Sequence, residues 1–114
     1  MTGELSFFEL GTGDYERARA FYSELFGWQF ESQNQGGRIT TPTVPGGIHP
    51  DDAGASPYVF FAVDDLDEAI AKVRELGGSG DAMDEDADTV AEFGRFALCK
   101  DDQGSSFGLH QRPV

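Results

Sequence analysis

The chain contains few cysteines, few basic residues and no long hydrophobic run, and each shortage excludes a class of protein. A single cysteine, Cys99, excludes an intramolecular disulfide and any zinc site built from cysteines alone, which fits a reducing compartment. Eight Lys and Arg accompany 21 Asp and Glu, a net charge of −13, so the chain lacks the basic surface that nucleic acid requires. Acidic residues interrupt the first 25 positions, and we expect neither a signal peptide nor a membrane-spanning helix. These shortages predict a cytoplasmic protein without nucleic-acid or membrane partners.

The apolar content is sufficient for a folded core despite the acidity. Hydrophobic residues make up 39% of the chain and ten residues are Phe, whereas disordered acidic chains are poor in aromatic residues. A length of 114 residues suits one compact domain and is too short for two independent cores. We therefore predict a single domain over residues 1–114.

The sequence is internally duplicated. An offset of 51 residues aligns Asp14 with Asp65, and identical or similar residues then recur without a gap to Gly27 and Gly78. A repeated unit of this size predicts two halves built from the same elements. The predicted boundaries are module 1 over about 1–52, a linker over about 50–57 and module 2 over about 57–114.

Each copy is predicted to begin with a strand followed by a helix. The apolar runs at 5–10 and 58–63 favour strands, and an acidic N-cap, Asp14 or Asp65, follows each of them. Apolar residues then recur with the 3.6-residue period of a helix that ends at glycine. The other predicted elements are strands at 28–33, 38–43, 47–49, near Asp81, at 94–100 and at 105–111, and an acidic surface loop at 81–92.

Three segments resemble the vicinal oxygen chelate superfamily, which includes glyoxalase I, the bleomycin resistance proteins and the extradiol dioxygenases. They are Asp-Tyr-Glu-Arg-Ala-Arg-Ala-Phe-Tyr-Ser-Glu-Leu-Phe-Gly-Trp at 14–28, Tyr-Val-Phe-Phe-Ala-Val-Asp-Asp at 58–65 and Asp-Asp-Gln-Gly-Ser-Ser-Phe-Gly-Leu at 101–109. The resemblance implies an α+β fold of two tandem βαβββ modules, whose strands form a curved mixed sheet around a central cup with the helices outside. It also implies a homodimer.

The resemblance implies four metal ligands in the members that use a metal, one near the start of each module and one on each module's last strand. The matching positions here are Phe7, Gly47, Tyr58 and Gly108. Phenylalanine, glycine and tyrosine side chains cannot form the His and carboxylate site that a transition ion requires. We therefore expect no metal and no other cofactor.

The alternation of side chains along the strands gives the sheet two different faces. The face expected to meet the helices is apolar and carries Phe8, Leu10, Ile48, Val59, Phe61, Val63, Phe107 and Leu109. The opposite face should line the cup and bind an organic ligand. Its predicted ligand-binding residues are Phe7, Glu9, His49, Tyr58, Phe60 and His110.

Three cup residues titrate, and each has two interpretations. Glu9 among aromatic rings would have its pKa raised by desolvation and could act as a general base or hold a cationic ligand. Alternatively it bonds a neighbouring strand or an arginine, Arg38 or Arg95. His49 and His110 either form a displaced metal site with Glu9 or lie partly solvated at strand ends.

Three functions follow from these residues and the resemblance. The leading one is binding of a small organic molecule in the aromatic cup without the family metal, as in the bleomycin resistance proteins, with cationic ligands favoured by the charge of −13. The second is an enzyme of lyase, isomerase or dioxygenase type that uses Glu9, or His49 and His110, as base or as displaced metal ligands. The third is a partner-binding module whose cup is filled by core residues.

Cys99 has no His, Asp or Glu at a spacing typical of a catalytic base, so a role as nucleophile is not expected. It is predicted to be a core residue.

Overall fold

The computed structural model describes residues 3–33 and 36–114, which form eight strands and three helices. The predicted α+β class with a mixed sheet is confirmed, whereas the central cup stays a prediction. The elements are β1 Leu5–Gly11, α1 Tyr15–Phe26, β2 Gln29–Gln33, β3 Gly36–Thr40, β4 Gly46–His49, β5 Tyr58–Ala62, α2 Leu66–Glu75, β6 Ser79–Ala82, α3 Ala87–Phe93, β7 Arg95–Lys100 and β8 Ser106–Gln111.

The chain divides into two compact units, Phe7–Val59 and Phe60–Val114, and the second also includes the start of β1 through Ser6. In the first unit the strand order is β2-β3-β4-β1, with β1 and β4 parallel and the other pairs antiparallel. The second unit repeats the pattern as β5-β8-β7-β6, with β5 and β8 parallel. The element order βαβββ therefore recurs as the duplication predicted, with α3 added in the second copy.

Local capping residues fix both long helices where the sequence predicted them. Asp14 accepts a hydrogen bond from the Arg17 amide at 3.1 Å, and Asp65 accepts one from the Glu68 amide at the same distance. The first helix ends at Gly27, whose φ of 75° is in the left-handed region that glycine tolerates best. These contacts lie within a few residues along the chain, so the sequence pattern suffices to predict them.

The apolar face of each unit packs against its helix as the alternation predicted. Leu10, Ile39 and Ile48 form a buried cluster, with Phe8, Tyr15, Ala18, Tyr22, Trp28 and Phe30 packed around it. In the second unit Leu66 and Ile70 of α2 contact Ala97, Cys99 and Leu109, with Val63 and Phe107 at the margin. Cys99 is buried, as predicted, and burial raises the pKa of its thiol. Val59 differs from the prediction because it stands at the start of β5 and is 39% exposed.

The predicted acidic loop at 81–92 is wrong, because it contains most of α3. Asp86 accepts a hydrogen bond from the Thr89 amide at 2.7 Å and starts the helix, and Gly94 ends it. Seven residues are too few for a helical period to stand out among the acidic residues.

Strand β3 ends at Thr40 instead of continuing to 43, since Thr41 Oγ1 donates to the Val44 carbonyl at 2.7 Å and turns the chain. No helix in the described part of the chain is long and apolar enough to span a membrane.

Candidate functional site

The candidate site lies on β1 and β4 of the Phe7–Val59 unit. These strands pair in parallel, and their register places Glu9 beside Gly47 and Gly11 beside His49. A Cβ on Gly47 would overlap Glu9 Oε1, so the glycine leaves the space that the carboxylate occupies. The register therefore explains why glycine and an acidic residue stand opposite each other here.

Four polar side chains of this unit form one hydrogen-bonded group, which we call the Glu9–His49 cluster. His49 Nδ1 lies 2.6 Å from Glu9 Oε2, and His49 Nε2 lies 2.9 Å from Asp52 Oδ2. The Tyr58 hydroxyl donates to the same Asp52 oxygen at 2.9 Å. The cluster thus consists of Glu9, His49, Asp52 and Tyr58, and hydrogen bonds connect all four.

Asp52 belongs to the candidate site although the sequence did not indicate it, because it falls in the predicted linker. Its amide donates to the Thr12 carbonyl at 2.9 Å, and the preceding Asp51 has a positive φ of 59°. A Cβ on Gly11 would overlap the Asp52 carboxyl group, so only glycine allows the loop to approach β1. The spacing of three residues between His49 and Asp52 was the one available signal in the sequence.

The partners of His49 fix its protonation state. Ionised carboxylates only accept hydrogen bonds, so both ring nitrogens must donate, and the ring is an imidazolium. Partial burial alone would lower the pKa of His49, but the bonds to Glu9 and Asp52 outweigh it and raise the pKa above 6.5. The bonds from His49 and Tyr58 lower the pKa of Asp52, and the Asp52 carboxylate raises the pKa of the Tyr58 hydroxyl. The cluster thus places the His49 ring between two carboxyl groups, an arrangement that favours its protonated form.

The cluster is reachable from solvent. The side chains of Glu9, His49 and Asp52 retain 26%, 37% and 33% of their exposure. Such half-buried groups keep stronger mutual interactions than fully exposed pairs, and a small molecule can still touch them. For Glu9, the contact with His49 of the neighbouring strand corresponds to the second of its two interpretations, a hydrogen bond across the sheet.

His110 differs from the prediction of a partly solvated rim residue, because it is only 3% exposed. Its Nδ1 accepts from the Ser6 hydroxyl at 2.9 Å, and its Nε2 donates to the Phe93 carbonyl at 2.7 Å. The ring stacks on Phe96 with centroids 4.5 Å apart. Burial lowers the pKa of His110 below 6.5, and the bond to Phe93 offsets this only in part. His110 is therefore a neutral core residue.

The predicted cup residues are divided between the two units. Phe7, Glu9, His49 and Tyr58 belong to the Phe7–Val59 unit, in which Glu9, His49 and Tyr58 share the cluster. Phe60 and His110 belong to the other unit. Phe7 and Phe60 are each 4% exposed, which leaves little of either ring for a ligand. The joint ligand-binding cup stays a prediction.

The residues at the four implied metal positions do not fit a transition ion. Phe7, Gly47 and Gly108 offer no donor atom, and the Tyr58 hydroxyl is bonded to Asp52. A Cβ on Gly108 would overlap the Phe60 ring, so a larger ligand side chain there would have to displace it. Within residues 3–33 and 36–114, no group of three His, Cys, Asp or Glu side chains is arranged to hold a metal.

Folding stability should depend on pH in opposite directions through the two histidines. Because the pKa of His49 is raised in the folded protein, its contribution to folding stability is fully present below about pH 6.5. This contribution is lost as the pH rises through the folded-state pKa. The lowered pKa of His110 makes its contribution present above about pH 6.5 and lost as the pH falls.

Urea unfolding from about pH 5 to about pH 9 measures both contributions. His49→Gln should lower the free energy of unfolding, and this decrease should become smaller as the pH rises. The decrease caused by His110→Gln should become smaller as the pH falls. Parallel profiles for the two variants would contradict the assigned protonation states.

Comparison with known proteins decides the family. Residues 4–109 match the family model described as "Glyoxalase/Bleomycin resistance protein/Dioxygenase superfamily". The chain belongs to this superfamily. The match confirms the resemblance predicted from the helix-1 segment and the duplication, and it covers both copies of the repeat.

Two relatives are similar to this chain in sequence. A "Glyoxylase-like domain-containing protein" of Didymella fabae is 35% identical over 67% of this chain and 70% of its own length. The "Putative glyoxylase CFP32" of Mycobacterium tuberculosis is 30% identical over 96% of this chain. The alignment covers 46% of that mycobacterial protein, so this chain spans less than half of its length.

Several solved structures share the fold of this chain at low sequence identity. Methylmalonyl-CoA epimerase from Mycobacterium tuberculosis aligns with a TM-score of 0.70 at 17% identity, over 97% of this chain and 88% of the epimerase. Homoprotocatechuate 2,3-dioxygenase from Brevibacterium fuscum gives a TM-score of 0.71 at 17% identity, over 99% of this chain and 37% of the dioxygenase. These likenesses establish the superfamily fold.

Proposed function

We propose that this chain binds a small organic molecule through the Glu9–His49 cluster, that the ligand donates hydrogen bonds to the cluster, and that binding needs no metal at the four family positions. One observation carries the proposal: every hydrogen-bond donor of the cluster already points at a carboxylate. Both N–H groups of His49 and the O–H group of Tyr58 are directed inward, toward Glu9 and Asp52.

The atoms left for a ligand are therefore acceptors. Asp52 uses Oδ2 for both of its side-chain bonds, and its Oδ1 keeps its lone pairs. The Tyr58 oxygen donates its hydrogen to Asp52 and can still accept one. A ligand with N–H or O–H groups satisfies these atoms, whereas a carboxylate or a carbonyl compound places acceptor against acceptor.

Charge favours a protonated amine among such ligands. The Asp52 carboxylate, whose pKa is lowered by its bonds from His49 and Tyr58, keeps Oδ1 as an acceptor, and the whole chain carries −13. Screening limits the long-range attraction to about 10 Å in ordinary salt, so the local carboxylates matter most. The Tyr58 ring beside His49, with centroids 6.0 Å apart, adds an aromatic surface for an organic cation.

The solvent exposure of the cluster supports ligand binding over the alternative of a partner-binding module with a filled core. Glu9, His49 and Asp52 retain between 26% and 37% of their side-chain exposure. A filled core would instead bury these groups, at a high cost in desolvation.

Three matched probes test the proposal: 2-phenylethylamine, 2-phenylethanol and phenylacetate share a ring and differ in charge. We expect the amine to bind most tightly and to shift the NMR signals of His49 and Tyr58, the alcohol to bind more weakly, and phenylacetate not to bind. Tightest binding of phenylacetate, or amine-induced shifts confined to other residues, would overturn the ligand class. A stoichiometric transition ion in the purified protein would overturn the metal-free part.

A second candidate function is proton transfer to or from the bound molecule. The continuous chain of hydrogen bonds from Tyr58 through Asp52 and His49 to Glu9 favours it. Both N–H groups of His49 are directed at carboxylates, so the group that exchanges a proton with the ligand would be a carboxylate, and Glu9 would serve as the base. If a Glu9→Gln variant kept every turnover of the wild type, Glu9 would not be the base.

A further inference from the structure

An arginine stands in the same cross-strand row as Glu9. Strand β3 pairs with β4 so that Arg38 lies opposite Gly47, and β4 pairs with β1 so that Gly47 lies opposite Glu9. Paired residues of neighbouring strands point to the same face of a sheet, so Arg38 shares a face with the Glu9–His49 cluster. The next residue, Ile39, is 0% exposed in the apolar cluster of the other face, which agrees with this assignment.

Gly47 places no side chain between Arg38 and Glu9. A Cβ on Gly47 would overlap Glu9 Oε1, so this oxygen lies over β4, on the side of Glu9 that faces β3. The other oxygen, Oε2, is bonded to His49 Nδ1. Among the strand residues described in the Phe7–Val59 unit, Arg38 carries the only guanidinium or ammonium group. It is therefore the cation placed to meet an anion that enters above Gly47.

The guanidinium of Arg38 can hold a ligand carboxylate as well as neighbouring acidic side chains. Glu31 stands directly opposite Arg38 on β2, and Glu9 stands two strands away on the other side. A guanidinium has five N–H donors, and a carboxylate takes two of them in the bidentate geometry. At least one donor therefore remains for a ligand oxygen even when both acidic side chains are bonded. Arg38 is only half-buried, so a small molecule can reach it.

The spacing between Arg38 and Asp52 sets the distance between the charges of the ligand. The Asp52 carboxyl group lies over Gly11, which is two residues along β1 from Glu9. With strands about 4.8 Å apart and a rise of about 3.3 Å per residue, the Cα atoms of Arg38 and Gly11 are about 12 Å apart. An extended arginine side chain covers about half of this distance, and each end of the ligand needs a hydrogen bond of about 2.9 Å. The short remainder fits an ammonium and a carboxylate group on the same carbon atom.

We propose that the ligand of the Glu9–His49 cluster is an α-amino acid, with its ammonium group at Asp52 and Tyr58 and its carboxylate at Arg38. This assignment rests on the amine binding proposed above and adds the second charge of the ligand. A zwitterion has no net charge, so a chain of net charge −13 repels it little, whereas it repels a simple carboxylate. The ammonium group is needed because a carboxylate alone would face Asp52 without a donor of its own.

Phenylalanine and two truncated analogues test the assignment by titration calorimetry. 2-Phenylethylamine lacks only the carboxylate of phenylalanine, and 3-phenylpropanoate lacks only the amine. We expect one enantiomer of phenylalanine to bind about tenfold more tightly than 2-phenylethylamine, and 3-phenylpropanoate not to bind. If neither enantiomer bound more tightly than the amine, the amino-acid assignment would be wrong and the amine site would stand. A lack of binding by both the amine and phenylalanine would overturn the proposed function itself.

Arg38→Gln separates the carboxylate contact from the amine contact. The variant should bind phenylalanine about tenfold more weakly. It should bind 2-phenylethylamine at least as tightly as the wild type, because the loss of a cation favours a cationic ligand, and this retained binding shows that the variant is folded. Phenylalanine affinity that is unchanged, or that falls together with the affinity for the amine, would overturn the role of Arg38.

Arg19→Gln is the matched control for this substitution. It makes the same change in net charge within the same unit, on α1, where Arg19 pairs with Glu16 at 3.4 Å. We expect it to change the affinity for either ligand by less than about twofold. An equal loss of phenylalanine affinity in Arg19→Gln and Arg38→Gln would show that the ligand responds only to the overall charge, and Arg38 would then not bind its carboxylate.

Discussion

Asp52→Asn should weaken the binding of 2-phenylethylamine by about tenfold or more, since it removes the anion that we expect to hold the amine. The substitution keeps the size of the side chain and one acceptor oxygen, so the loss of affinity measures the contribution of the negative charge. It also removes one of the two carboxylates that keep His49 protonated. The pKa of His49, followed by NMR titration, should therefore fall in the variant.

Asp51→Asn provides the matched control for this substitution. It makes the same change in net charge one residue away, and asparagine tolerates the positive φ of 59° at that position. We expect unchanged affinity for the amine and an unchanged His49 pKa. Equal losses in the two variants would show that the amine responds only to the overall charge, and the cluster would then not be its binding site.

The elements predicted correctly from the sequence are those fixed by contacts close along the chain. The caps Asp14 and Asp65 act on amides three residues away, and the apolar period of each long helix lies within three turns. The duplication predicted two halves built from the same elements, and the family resemblance implied the βαβββ order and the mixed sheet. The short helix α3 was not predicted by either.

The candidate site was harder to predict because its key contacts join distant parts of the chain. Asp52 looked like a linker residue, and only the pairing of β1 with β4 brings it against Gly11 and His49. His110, like His49, was predicted to lie partly solvated at a strand end or to form a displaced metal site. The His110 ring is buried by the Phe96 ring beneath it and the Phe93 carbonyl beside it. The alternation of side chains along β8 does not predict these two contacts.

Leu66→Ala should lower the free energy of unfolding by about 3 kcal/mol and the melting temperature by roughly 10–15 °C. The Leu66 side chain is 0% exposed and packs in the cluster of Ile70, Cys99 and Leu109, so its removal leaves a cavity. The amide of Leu66 donates to Gln111 Oε1 at 2.7 Å, and alanine retains that bond. Urea and thermal unfolding would therefore measure the loss of packing alone.

The repeat supplies a comparison for this substitution at the equivalent position of the first helix. An offset of 51 residues relates Leu66 to Tyr15, which is only half-buried and whose hydroxyl accepts a bond from Ser32 at 3.2 Å. No residue of α1 is fully buried, whereas Leu66 and Ile70 of α2 are. Tyr15→Ala should consequently cost less than Leu66→Ala, and an equal or larger cost would show that the two helices contribute to their cores alike. The two copies share their order of elements, but the second buries two residues of its helix fully and the first buries none.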